Sequence, residues 1–164
     1  MTGDTDHRAE LARQRMVGGG FAVSDERLAV GPVVVGYRGT FRIRWLATKL
    51  HLFVVILTVP TIDASTLDRF LTESVGYARG HTRWWARSVQ QAVAVVPVVV
   101  CDVATGPAVA VVEQLPHRDA GMMTLPWLID TATGRTHRSV GKVVFGAIYR
   151  PWLDEQVGAL LARD

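Results

Sequence analysis

The chain reads as an α/β domain, with α+β as the variant, and three observations carry that reading. Two apolar, β-branched runs, His51–Pro60 (HLFVVILTVP) and Ala92–Cys101 (AVAVVPVVVC), suit strands buried on both faces. The segment between them repeats apolar residues at helical spacing, so the three make a strand, helix, strand unit. Ahead of the first run, Phe41, Ile43 and Trp45 alternate with Arg42 and Arg44, as a half-buried strand does. These features predict a mixed sheet of about five or six strands, packed by one long central helix and a C-terminal helix.

Residues 1–30 are expected to form a flexible or partly helical arm, and 31–164 a single α/β domain. Ala9–Met16 can form a short helix, Val17-Gly18-Gly19-Gly20 reads as a flexible joint, and Ser24–Leu28 as one helical turn. Strand patterning begins at Pro32, with Val33–Tyr37 and then Phe41–Trp45. Residues 46–50 turn the chain, so that His51–Val59 closes a hairpin. Ser65 with Asp68 three residues on resembles a capping box, with Asp63 as the competing cap. A helix over 65–89 puts Leu67, Phe70, Leu71, Ser74, Val75, Ala78, His81, Thr82, Trp85 and Val89 on one broad stripe. Gly76 and Gly80 each cost it roughly 1 kcal/mol relative to Ala, so a break near residue 80 is the alternative.

Residues 104–107 (ATGP) form a turn, and 108–115 (AVAVVEQL) fit either a short helix or a strand. Thr124–Asp130 and Arg135–Val140 read as a hairpin around 131–134. Pro151 opens the last helix, with Asp154 and Glu155 in its first turn and Trp152, Leu153, Val157, Leu160 and Leu161 on its apolar side. Trp85 and Trp127 are expected in the core, and Trp84 and Trp152 at exposed contacts.

Four phrases occur in a fixed order: Trp45-x-x-Thr48-Lys49-Leu50-His51-x-Phe53-Val54, Pro97-Val98-Val99-Val100, Leu125-Pro126-x-Leu128-Ile129-Asp130-x-x-Thr133-Gly134, and Gly146-x-x-Tyr149. In these the chain resembles a family of small prokaryotic proteins found mainly in haloarchaea, over about residues 36–160. The resemblance implies a single free-standing domain and brings no assigned activity.

The charge is unevenly placed. Residues 1–30 carry four Arg against five acids, residues 31–150 carry 13 basic residues against seven acids, and residues 151–164 one Arg against three acids. The body is therefore basic and both ends are mildly acidic. Arginine supplies 16 of the 18 basic residues, a bias that a GC-rich genome also produces. With Cys101 as the one cysteine, an internal disulfide is excluded. The apolar runs fall short of the ~20 residues a spanning helix needs, and the polar start lacks the apolar core of a leader. The expectation is a cytoplasmic chain without membrane insertion. Its mean hydropathy of +0.20 is high for a lone domain and points to a homo-oligomer or a protein partner.

Several chemistries find no motif. There is no G-x-x-x-x-G-K-[ST] and no nucleotide fingerprint after a strand; no G-x-S-x-G elbow; and no pair of His or Cys at zinc-ligand spacing. A hairpin, helix and strand in this order suits several nuclease cores, which need an acid-x-Lys pair to hold Mg²⁺. Here Lys49 follows Ala47 at that spacing and Lys142 follows Val140. No cofactor is expected. A weak reactive or metal site remains at Cys101, Asp102, Glu113 and Asp130, near the carboxyl end of the second apolar run, where open α/β sheets bind ligands. Cysteine is also among the most buried residue types, which favours an inert thiol.

On the central helix Arg69, Arg79, Arg83 and Arg87 fall within about 80° of one another, opposite the apolar stripe. Trp84 sits at their margin, and Arg42 and Arg44 form a second basic strip. Guanidinium groups beside an aromatic ring suit phosphate contacts and base stacking; the bland alternative is a solvated face paired with Asp68, Glu73 and Glu113. Three functions follow in order: a self-associating interaction protein without enzymatic activity, a nucleic-acid-binding module using the arginine face, and, distantly, a hydrolase or nuclease-like enzyme with a non-contiguous site.

Overall fold

The computed structural model describes residues 2–42, 45, 48–82, 91–114, 118–119, 122–139 and 148–162. Its elements follow in the order α1 (Thr2–Gly18), β1 (Ala22–Leu28), β2 (Gly31–Arg42), β3 (Thr48–Ile62), α2 (Ala64–Thr82), β4 (Gln91–Ala104), α3 (Gly106–Glu113), β5 (Arg118–Asp119), β6 (Met122–Thr124), β7 (Trp127–Asp130), β8 (Arg135–Arg138) and α4 (Arg150–Leu161). This is a mixed α/β fold. The first three strands form an antiparallel meander, β3 runs parallel to β4 through the α2 crossover, and β6 and β7 succeed one another along the far edge of β4. The eight strands thus occupy six ranks, closed at that side by the β5–β6 and β7–β8 hairpins.

The apolar runs lie at the centre because both their parities are buried. Along β3, Leu50, Leu52, Val54 and Ile56 face one layer, with Ala94, Val96, Val98 and Val100 beside them on β4. Ala12 and Met16 of α1 and Trp152, Leu153, Val157 and Leu160 of α4 cover that face. Phe53, Val55 and Leu57, with Val95, Val99 and Cys101, face the other layer under Leu67, Phe70, Leu71 and Ala78 of α2 and Ala108 and Val112 of α3. Helices on both faces remove the alternating polar face of a one-sided sheet and explain the unbroken apolar runs.

Three local expectations change. The first thirty residues are part of the layered body, because α1 buries Met16 completely and β1 pairs with β2 from Ala22↔Tyr37 to Leu28↔Gly31. The glycines after α1 form a cap rather than a joint: Phe21 N–H donates to Met16 O at 3.0 Å and Gly20 N–H to Val17 O at 3.1 Å, with Gly20 at φ +77°. Ser24–Leu28 is strand, its local sequence overridden by the ladder to β2.

At the start of α2 the competing cap wins. Asp63 Oδ1 accepts the Thr66 N–H at 2.7 Å and the Ser65 hydroxyl at 2.9 Å. Those bonds hold the Asp63 carboxyl below its ordinary range. The stretch 108–115 resolves as helix α3 over its first six residues, with Thr105 as N-cap and Pro107 in the first turn. Trp127 is buried as expected, but so is Trp152, at 3 % exposure, packed edge-on to Trp45 with centroids 5.1 Å apart. Trp84 and Trp85 lie outside the described residues.

Candidate functional site

Of the predicted stripe on α2, Leu67, Phe70, Leu71, Ser74, Ala78 and Thr82 are buried, Val75 is half-buried, His81 is exposed, and Trp85 and Val89 lie outside the described residues. Arg69 and Arg79 are exposed on α2, and Arg69 makes no ion pair among the described residues. Two of the three acids offered as their partners, Glu73 and Glu113, are engaged elsewhere. Glu73 Oε2 accepts the Val30 N–H at 3.3 Å, and Glu113 Oε1 meets His137 Nδ1 at 2.9 Å. Arg83, Trp84, Arg87 and Arg44 lie outside the described residues. Arg42 sits on the other side of the sheet, its guanidinium 5.3 Å from the Trp45 ring centroid and 5.5 Å from that of Trp152. Arg42 therefore belongs to a different layer from Arg69 and Arg79, because it shares its strand parity with the residues under α4.

Beside the carboxyl end of α2 lies a group of side chains that sequence reasoning missed. Tyr37 Oη and His51 Nδ1 are 2.9 Å apart, and their rings stack at 6.1 Å. Phe53 packs at 5.1 Å from Tyr37 and at 6.5 Å from both Tyr77 and His81. Tyr77 and His81 stack at 4.1 Å, and Tyr77 donates to Glu26 at 3.2 Å. The i, i+4 spacing of Tyr77 and His81 is a legible signal for their stack. The cross-strand register that brings Tyr37 beside Phe53 is not. Burial of His51 keeps its imidazole neutral at lower pH than usual, the Lys49 charge adds to this, and a bond to Gln91 opposes it. Burial pushes the Tyr37 hydroxyl up.

Around this group the surface is cationic and partly aromatic. Lys49 is exposed on β3 opposite Phe41 of β2, and Phe41 is 58 % exposed. Gly39 leaves room for both the Lys49 stem and the Tyr37 hydroxyl, each 3.1 Å from where a Cβ would sit.

The other predicted cluster lies at the opposite end of the strands and is tied into structure. Cys101 is fully buried, its thiol donating to Ile129 O at 3.5 Å. Burial, with the Asp130 and Asp102 charges, pushes that thiol up to about 12. Asp130 is buried between two backbone donors, Thr133 N–H at 2.9 Å to Oδ1 and Ala104 N–H at 3.3 Å to Oδ2. Burial alone would raise its carboxyl, but these bonds, the Thr133 hydroxyl and His137 outweigh it and hold it low. Asp102 accepts from the Thr131 hydroxyl at 3.4 Å. Among the described residues no three His, Cys, Asp or Glu side chains are grouped to hold a metal ion.

Comparison with protein-family models, with curated proteins and with solved structures finds no match to the chain. No helix among the described residues is long and apolar enough to cross a membrane.

Proposed function

We propose that the protein binds an anionic polymer, a single-stranded nucleic acid, at the end of the sheet where β2 finishes and β3 and β4 begin. One observation carries this reading. From Gly31 to Ile62 and from Ser74 to Cys101 the chain contains seven Lys and Arg residues and no Asp or Glu. The antiparallel β2–β3 and parallel β3–β4 pairings bring the β4 part of the second stretch beside the first, and His81, two residues after Arg79, lies 6.5 Å from Phe53 of β3. Arg42 ends β2, Lys49 begins β3 and Arg79 stands in the last turn of α2, while Arg38, four residues before Arg42, donates to Gln156 at 2.9 Å and Arg83 and Arg87 lie outside the described residues. Stretches that carry cations and no acids of their own attract phosphates. Phe41, exposed among them, offers a base a stacking surface, which favours single strands over duplex.

Self-association, the first expectation from composition, has less behind it. Trp152 is buried, and the exposed large apolar side chains among the described residues are dispersed: Phe41 at the amino end of the parallel strands, Val103 at their carboxyl end, Val17 on α1 and Ile148 before α4.

The test is fluorescence anisotropy of labelled single- and double-stranded DNA from about 50 to about 300 mM salt. If about four phosphates are engaged, log K should fall with log salt at a slope near −3. Single strands should bind more tightly than duplex. No binding at the lowest salt would end the proposal.

A further inference from the structure

On the opposite face of the sheet, toward the carboxyl ends of β4 and β7, two cavities meet under one arginine. The first, about 400 Å³, lies between α1 and the last turn of α4, over Val100 and Ile129. The second, about 380 Å³, lies between that turn and the β7–β8 hairpin, beside Trp127. Arg8, Leu161 and Ala162 line both. Each cavity is within the size range of small-molecule sites.

We propose that this paired cavity binds a small organic oxyanion, a carboxylate or phosphate monoester carried on an apolar body of acyl type. The head group is assigned by Arg8. Its side chain is 23 % exposed, and its one bond among the described residues runs from Nε to Asp4 Oδ2 at 3.1 Å. A guanidinium carries five N–H donors, and the planar fork of terminal groups matches a carboxylate or phosphate in a bidentate pair. The terminal fork faces the cavity beside the Asp4 carboxylate and has no protein acceptor among the described residues, so a planar oxyanion can take it without displacing one.

Arg138 adds a second cation, stacked 5.3 Å from the Trp127 ring centroid and only 3.5 Å from its carboxylate partner Asp154. Arg15 does a different job. It donates to the Leu160 and Ala162 carbonyls and so closes the carboxyl end of α4 against the cavity. The floor of Val100, Ile129 and Trp127 has nothing to offer a second charge and suits an apolar body instead. None of these residues belongs to the acid-free end of the sheet, so the two proposals stand or fall separately.

Isothermal titration calorimetry of the full chain with octanoate, octyl phosphate, inorganic phosphate and octanol tests this directly. Octanoate and octyl phosphate should bind at one site, with inorganic phosphate and octanol weaker by about ten-fold or more. Arg8→Gln should weaken both amphiphiles by about ten-fold or more with an unchanged circular dichroism spectrum. Arg8→Lys, which keeps the charge and the helix but loses the fork, should recover only a minor part of that loss. The proposal is overturned if neither amphiphile binds, if octanol or inorganic phosphate binds as tightly as they do, or if Arg8→Gln leaves their affinity unchanged.

Discussion

Asp130 shows how a single carboxylate can serve structure at a place where ligands commonly bind. It joins the end of β4 to the β7–β8 turn through two backbone donors. Removing it strands both N–H groups, so Asp130→Ala should cost about 1–3 kcal/mol. Its folded carboxyl titrates below the ordinary range, so the unfolded chain takes up the proton first. The contribution is complete above the ordinary carboxylate range near 4 and drains away as pH falls below it. Urea melts of wild type and Asp130→Ala should differ most at neutral pH and converge toward pH ~2; an undiminished gap in acid would contradict this. Cys101, buried with its thiol pushed up to about 12, should resist iodoacetamide at pH ~8 until denaturant is added. Rapid labelling of the native chain would reopen it as a reactive site.

At the scale of elements, two glycines make opposite demands. Gly36 sits under α1, where an added Cβ would meet Met16 Sδ and come within 3.3 Å of Phe21. Met16 is fully buried and has little room to yield, so Gly36→Ala should destabilise by about 1–3 kcal/mol. Gly76 lies within α2 with nothing within 4 Å of the added carbon. There Gly76→Ala should stabilise by about 0.5–1 kcal/mol, through helix propensity and a less flexible unfolded chain. Thermal melts of the two variants should move in opposite directions, and a shared direction would show that α1 or α2 packs otherwise.

Much of the element pattern was readable because it depends on near neighbours. The prolines at helix starts and most of the stripe on α2 act within one or two turns, whereas the choice of Asp63 over Ser65 as the cap came only with the structure. Ser24–Leu28 was not readable: AVSDERL is weak as a strand and becomes one only by pairing with β2. Arg8 gave no signal either, since its importance comes from α4 and the β7–β8 hairpin closing around it.

Over the whole molecule, the distribution of charge separates the proposed nucleic-acid end from the rest of the arginine face. Arg69 lies ten residues before Arg79, about 15 Å along the helix axis. Lys49→Glu and Arg79→Glu should each lower affinity for single-stranded DNA and flatten its salt slope by about one. Arg69→Glu should change both far less. Phe41→Ala should weaken single-strand binding with little change in slope, because stacking is lost and no phosphate contact is. Equal losses at Arg69 and Arg79 would mean that the entire helix face engages the polymer.

By itself the sequence determined the α/β class, the two central strands, the helix between them and the basic body. Each of these rests on composition or on hydrophobic period, which are properties of contiguous residues. Only the tertiary structure decided that the first thirty residues belong to the body, that Trp152 is core, and that Arg42 and the α2 arginines lie on opposite faces. It also decided that two acid-free stretches adjoin and that Arg8 stands between two cavities. Those facts depend on strand register and on which layer each helix covers, and both are set by contacts between residues far apart in the chain.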